Sequence, residues 1–152
     1  MSSASSFHFD DSLWPLLIIR VPKGPTPREL EAYLAKRLDY MKRREQHVIL
    51  YDTRAIGVPS NTLNQRHLEW LREHDMLIRE TLIGSSIIIT SPLMRLTAST
   101  LLHFKPPTMP YYISASLTDA VRWAADLLQK AGHPIPAHRI HQHMGSVPPT
   151  GT

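Results

Sequence analysis

The chain has no cysteine. Thiol catalysis, thiolate zinc sites and disulfides are excluded, and the composition fits a reducing cytoplasm. Glycine is scarce, with 6 in 152 residues. No G-x-G-x-x-G, Walker loop, G-x-S-x-G or H-E-x-x-H is present, so a nucleotide cradle and the commonest hydrolase signatures are not expected. Long apolar runs are missing too. The longest, LLII and SSIIIT, are strand-sized, while a membrane span needs roughly 20 residues. No basic region followed by an apolar run opens the chain, so no signal peptide is expected. The net charge is +4 with a pI near 9.6, yet aromatics make up only 7%. The arginines are spread out rather than set in a stripe with interleaved aromatics, which argues against nucleic-acid binding. The one basic cluster, Lys42-Arg43-Arg44, sits where a helix C-terminus favours cations.

What is present is clear punctuation. A chain of 152 residues is expected to form one domain, burying roughly 70% of the surface its unfolded chain exposes, without a disulfide or metal. Residues 1–6 read as a disordered lead. Phe7–Asp10 and Leu13–Val21 read as an N-terminal hairpin, with a turn signal at Asp10-Asp11-Ser12. Thr26, Pro27 and Glu29 form a capping box that starts a helix running to about Arg44. Its inward stripe is Leu30, Tyr33, Leu34, Leu38 and Met41; Arg28, Glu31, Lys36, Arg37 and Arg43 make its wet side. HVILY (47–51) is continuously apolar, as in a strand covered on both faces. A second helix is expected from Ser60 or Asn61 to Arg79, and a strand from Leu82 to Thr90. Gly84 in that strand marks a bulge or a close approach. Ser91-Pro92 starts a third helix, with Leu93, Leu96, Thr97, Thr100, Leu101 and Phe104 inward. Pro110–Ile113 is the last strand. Ser116 caps the clearest helix of all, with Leu117, Ala120, Val121, Ala124, Leu127, Leu128 and Ala131 on one face and Gly132 as its stop. Residues 133–152 are rich in proline, without periodicity, and read as a flexible tail. The order ββαβαβαβα predicts an α/β domain over 7–132: a mainly parallel sheet, an antiparallel edge strand and four helices.

Three groups of residues invite a functional reading. Asp52 ends the third strand, at the sheet edge where ligands bind in open parallel sheets. Arg54, Ser60, Asn61 and Thr62 adjoin it; turns and caps need the same residue types. His67 and His74 fall within the apolar stripe of the second helix beside Trp70. They read as neutral core histidines, or as the lining of a pocket or a dimer contact. Glu69 and Glu73, among Arg66 and Arg72, read as a solvated ion-pair face. His138, His141 and His143 form a tract that can bind metal weakly, but a flexible tail with chance histidines is the simpler reading. No metal and no cofactor is expected.

This succession of elements, with Asp52-x-Arg54 after the third strand and Arg66 and Trp70 in the next helix, resembles the STAS domain of bacterial anti-sigma-factor antagonists, in its divergent STAS-like form. The fold is close in shape to lipid-binding Sec14-like domains. The resemblance covers about residues 7–131. It implies a non-enzymatic, cytoplasmic, regulatory module that binds another protein through Asp52, Arg54, Ser60, Asn61 and Thr62. Ser60 stands nearest the serine that a partner kinase phosphorylates in family members, although VPSNTLN replaces the usual Asp-Ser-Ser-Gly. The alternatives are a small-ligand or lipid-binding module using His67, Trp70 and His74, and, third, an enzyme uniting Asp52, Arg54 and one of those histidines.

Overall fold

The structure is a computed structural model that describes residues 6–55 and 61–146. The first strands are β1 (His8–Leu13) and β2 (Leu16–Arg20). They pair antiparallel, with the register shifting between Asp10 and Leu13. Asp10 Oδ1 accepts from the Ser12 amide and hydroxyl at 3.0 and 2.7 Å. The expected turn chemistry is there, but it makes a bulge in a longer β1, and the chain reverses at Trp14-Pro15. Helix α1 (Pro27–Lys42) starts on the expected box: Glu29 N–H donates to Thr26 Oγ1 at 3.1 Å, and Thr26 N–H to Glu29 Oε1 at 2.8 Å. Strand β3 (His47–Asp52) follows, then α2 (Asn61–Glu73) and α3 (Asp75–Thr81). The single long helix expected here is divided at His74, whose φ of −114° and ψ of 20° leave the helical region. Strand β4 (Leu82–Ile88), α4 (Pro92–Phe104), β5 (Tyr111–Ser114), α5 (Leu117–Lys130) and α6 (Ala137–Ser146) complete the order.

The sheet runs β1-β2-β3-β4-β5, and β2 to β5 are all parallel. The α/β reading, the parallel sheet and its antiparallel edge strand are therefore present. The helix number differs: six among the described residues, not four. Two come from the break at His74 and from α6, which lies where the sequence reads as a flexible tail. That segment lacks strong periodicity, but Ile135, Ile140 and Met144 pack against the α5 core, and His143 Nε2 meets Asp10 Oδ2 at 2.8 Å. Tertiary contacts hold a helix that local propensity does not announce.

Alternation divides the core into two layers. Leu16, Ile18, Val48, Leu50 and Ile88 face α5, where they meet Ala120, Val121, Ala124 and Leu128. Leu17, Ile19 and Ile49 face α1, α2 and α3, where they meet Leu30, Tyr33, Leu34, Met41, Trp70 and Ile78. Gly84 serves both expected roles. Two β4 steps, Leu82 to Gly84, oppose one β3 step, His47 to Val48. A Cβ on it would lie 2.3 Å from Leu127 Cδ2 and 3.2 Å from the Pro110 carbonyl, so any larger residue would have to displace the Leu127 side chain against which α5 is seated.

Candidate functional site

At the C-terminal end of β3 the chain places charge on one side of the sheet and rings on the other. Asp52 shares strand parity with Val48 and Leu50, so it belongs to the α5 layer. Its carboxylate is occupied. Arg54 donates from Nε to Oδ1 at 2.9 Å, from Nη2 to Oδ2 at 2.7 Å and from its backbone N–H to Oδ1 at 3.1 Å. Burial raises the Asp52 pKa, but the bonds from Arg54 and the charge of Arg20 outweigh it, so the carboxyl stays below the usual range. This paired fork stabilises the loop entry. Asn61 and Thr62 are exposed at the start of α2. Ser60 lies outside the described residues. The structure thus brings Asp52 and Arg54 together as an ion pair.

Tyr51, one residue earlier, faces the other layer, where α1 and α2 converge on it. Here the structure gathers residues that the sequence reading kept apart. Arg37, expected on the wet side of α1, is 2% exposed. Its guanidinium carbon lies 5.0 Å from the Trp70 ring centre and 5.9 Å from that of Tyr51. Tyr33 and His67 meet edge-on at 6.1 Å, and the rings of Trp70 and His74 lie 4.8 Å apart. The second histidine is tied down, Nδ1 standing 3.0 Å from the Trp70 carbonyl. His67 as a residue is half-buried, but its Nε2 is shielded from water and has no partner. Burial, and after it the Arg37 charge, push its pKa down to about 4. His47, behind them on β3, is buried, with Nδ1 3.0 Å from the Glu45 carbonyl. Its pKa is lowered by burial first, with the Arg37 charge acting in the same direction.

The energetics of Arg37 are unusual. Removing an ion from water costs several kcal/mol, and a desolvated cation–π contact returns about 2. Arg37 Nε and Nη1 are both buried without a hydrogen-bond partner. The groups that act on its charge are Tyr51 and Tyr33, the latter also through a side-chain hydrogen bond, and not a carboxylate. Every carboxylate of the neighbouring helices that is paired goes elsewhere: Glu31 takes Arg66 Nε and Nη2 at 2.7 and 3.0 Å, and Glu69 and Glu73 stand within 4.0 Å of the same arginine on the exposed side. The expected ion-pair face is therefore present and joins α2 to α1. Arg37 was detectable by angle alone. At 100° per residue it falls between Tyr33, Leu34 and Met41, in the centre of the α1 stripe.

Clefts indent the surface among the described residues. One, of about 290 Å³, lies between α5 and α6 along Val121, Ala125, Ile135, Ile140 and Met144. A more open one, of about 330 Å³, is lined by Leu68, Leu71, Arg72 and Asp75. His67, Trp70 and His74 line neither. Among the described residues no three His, Cys, Asp or Glu side chains gather to hold a metal, and no helix is long and apolar enough to cross a membrane.

A third feature is the surface of α4. Its cap is as expected, with Ser91 Oγ accepting from the Met94 amide at 3.3 Å. Its orientation is the reverse of the expected one. Leu93, Leu96, Leu101 and Phe104 are 71, 65, 65 and 78% exposed, and Thr97 and Thr100 between them are exposed as well. The half-buried residues are Arg95, Ala98 and Leu102, on the opposite face. Arg95 explains this: its Nη1 donates to the Ile89 and Thr90 carbonyls, both at 2.9 Å, at the end of β4. Comparison of the chain with protein-family models, with curated proteins and with solved structures gives no match.

Proposed function

We propose that this chain is a non-enzymatic protein-binding module of STAS type, and that its docking surface is α4 rather than the loop after β3. The observation that carries this reading is the outward apolar stripe Leu93, Leu96, Leu101 and Phe104. Isolated exposed leucines are ordinary, but a contiguous stripe marks an interaction surface. The polar groups at the end of β3 support a non-catalytic reading, because Asp52 is held by Arg54.

The partner is a protein with an apolar groove and an acidic rim. From Leu82 to Thr118 the chain carries no Asp or Glu, and Lys105 follows the C-terminal end of the stripe. A membrane surface gains about 1 kcal/mol per cation, and a single lysine at the stripe falls short of the four to eight cations of a lipid-binding cluster. The helix-in-groove mode remains, with anchors at three- to five-residue steps.

The test compares the wild type with the double variant Leu96→Asp, Phe104→Asp. A partner captured from cells of the source organism is purified and titrated against both by calorimetry. The expected result is a loss of at least tenfold in affinity with unchanged circular dichroism. Equal affinities would refute α4 as the surface. Sedimentation showing a wild-type dimer that the double variant lacks would replace the partner by a second copy. Cosedimentation with anionic vesicles, abolished by the same variant, would replace it by a membrane.

A further inference from the structure

The two edges of the sheet are finished differently. At β1 the ladder is interrupted between Asp10 and Leu13. There the Ser12 amide donates to Asp10, and the Ser12 carbonyl accepts from Arg139 Nη2 of α6. Bulges, charged residues and a covering helix are devices that keep a sheet edge from pairing. β5 is short, but it has neither bulge nor charge, and it pairs with β4 alone. The carbonyls of Pro110 and Ser114 accept from the Ser85 and Ile89 amides. In a parallel ladder Tyr112 then also bonds toward β4, and the N–H and C=O groups of Tyr111 and Ile113 point away from it. Among the described residues nothing bonds to those four groups.

We propose that a second copy of this chain pairs with β5 antiparallel, about a two-fold axis beside Tyr112, so that the two sheets join. The spacing of the open groups selects this occupant. With Tyr112 opposite its own image, Tyr111 of each copy stands opposite Ile113 of the other. Each such pair exchanges two backbone bonds, and together they use every outward group of both strands. The side chains match as well. A ring meets a β-branched chain on one face and two tyrosines meet on the other, pairs that stabilise sheets. Because β5 is YYIS, no charge is set against its own image at the axis. Ile87, Tyr111 and Ile113, on the face away from α5, are only half-buried, as is Tyr112 where it stacks on Trp123. A joined sheet covers them further. The contact is short, so the dimer is concentration-dependent, with a Kd of about 10 µM to 1 mM. None of its bonds involves α4, so it goes beyond the function proposed above.

The absence of cysteine allows a register-specific test on the full chain. Opposite residues of a non-hydrogen-bonded pair have Cα atoms about 4.5 Å apart, within disulfide reach. Tyr111 lies a diagonal step from its own image, beyond the limit of about 7 Å. Tyr112→Cys should therefore oxidise to a covalent dimer about tenfold faster than Tyr111→Cys at equal concentration, both with intact circular dichroism. Sedimentation equilibrium should show a reversible wild-type dimer. Ile113→Pro removes an outward N–H where a sheet edge tolerates proline, and should be monomeric. The cysteine pair decides independently of whether Ile113→Pro folds. Equal oxidation rates would overturn the proposal, as would a wild type still monomeric at about 1 mM. The dimer should persist in Leu96→Asp, Phe104→Asp. A dimer lost there and kept in Ile113→Pro would also overturn it, placing self-association on α4, so the two readings fail separately.

Discussion

Helices α4 and α5 are nearly equal in length, start on serine caps and carry apolar residues at three- and four-residue steps. One is turned to solvent and the other is buried. The difference lies in what stands beside the apolar residues. The α5 stripe has Ala120 and Ala124 in its centre, both 0% exposed, and these small residues let the backbone approach β3 and β4. Gly84 completes the fit from the sheet side. The α4 stripe has Thr97 and Thr100 in its centre, and their hydroxyls donate back to the Leu93 and Leu96 carbonyls at 2.9 Å. Across the helix from them, Arg95 supplies donors to strand-end carbonyls. Satisfying those carbonyls turns the Arg95 face inward and Leu93, Leu96, Leu101 and Phe104 out. Amphipathic spacing thus specifies a face, and the local hydrogen-bond demand decides which way that face points.

The largest test of this contrast is Leu128→Ala. The side chain is fully buried in the α5 layer, and its truncation should cost about 2–5 kcal/mol in urea unfolding. A loss of a few tenths would mean that α5 is seated no more firmly than α4.

Acid should strain the α1/α2 layer and leave the outer face of α4 indifferent. The His67 pKa, about 4 when folded, lies below the value near 6.5 of an unfolded histidine. The unfolded state therefore binds the extra proton as pH falls from about 6.5 to 4. Stability present at neutral pH should decline across that window by about 2–4 kcal/mol in all. His47, also lowered by burial, acts in the same direction. Denaturation midpoints measured at pH 7, 5.5 and 4.5 should flatten in His67→Gln and keep their slope in Leu96→Asp. An unchanged slope in His67→Gln would show that this ring titrates normally.

Gly84→Ala attacks the α5 seat from the sheet. The new methyl would meet Leu127 at 2.3 Å and the Pro110 carbonyl at 3.2 Å, for a destabilisation of about 1–3 kcal/mol. Rescue by Leu127→Ala in a double-mutant cycle would locate the strain; strict additivity would place it elsewhere.

Arg95→Leu removes the anchor of α4. The expected loss is about 1–2 kcal/mol, in line with a hydrogen bond to a charged group. Hydrogen exchange should rise in α4 and not in α5; equal protection in variant and wild type would show that Arg95 does not orient the helix.

The smallest effect belongs to Leu96→Ala. At 65% exposure it should change stability by less than about 0.5 kcal/mol. A loss comparable to Leu128→Ala would mean that α4 is covered in solution by something that the isolated chain supplies.

Much of this architecture follows from the sequence alone. The Thr26-Pro27-Glu29 box, Ser91-Pro92 and Ser116 start the helices where caps dictate, and the apolar run at 47–51 is a strand covered on both faces, because these are local preferences of backbone and side chain. The glycine at 84, placed in a β-rich run, announced the close approach that α5 makes. The pairing of Asp52 with Arg54 was half legible: the residues were singled out, but their closure on each other needed coordinates. Four matters were decided only by tertiary structure. The break at His74 leaves Trp70 facing α1. Docking on β1 and α5 makes a helix of residues 137–146. The strand-end carbonyls of β4 turn α4 outward. Arg37 is drawn under α2 because its position on α1 points to the core, and two rings and the Tyr33 side chain, not a carboxylate, receive it. In each case a non-local partner outweighs a local preference, and one-dimensional patterning carries no record of which partner will be there.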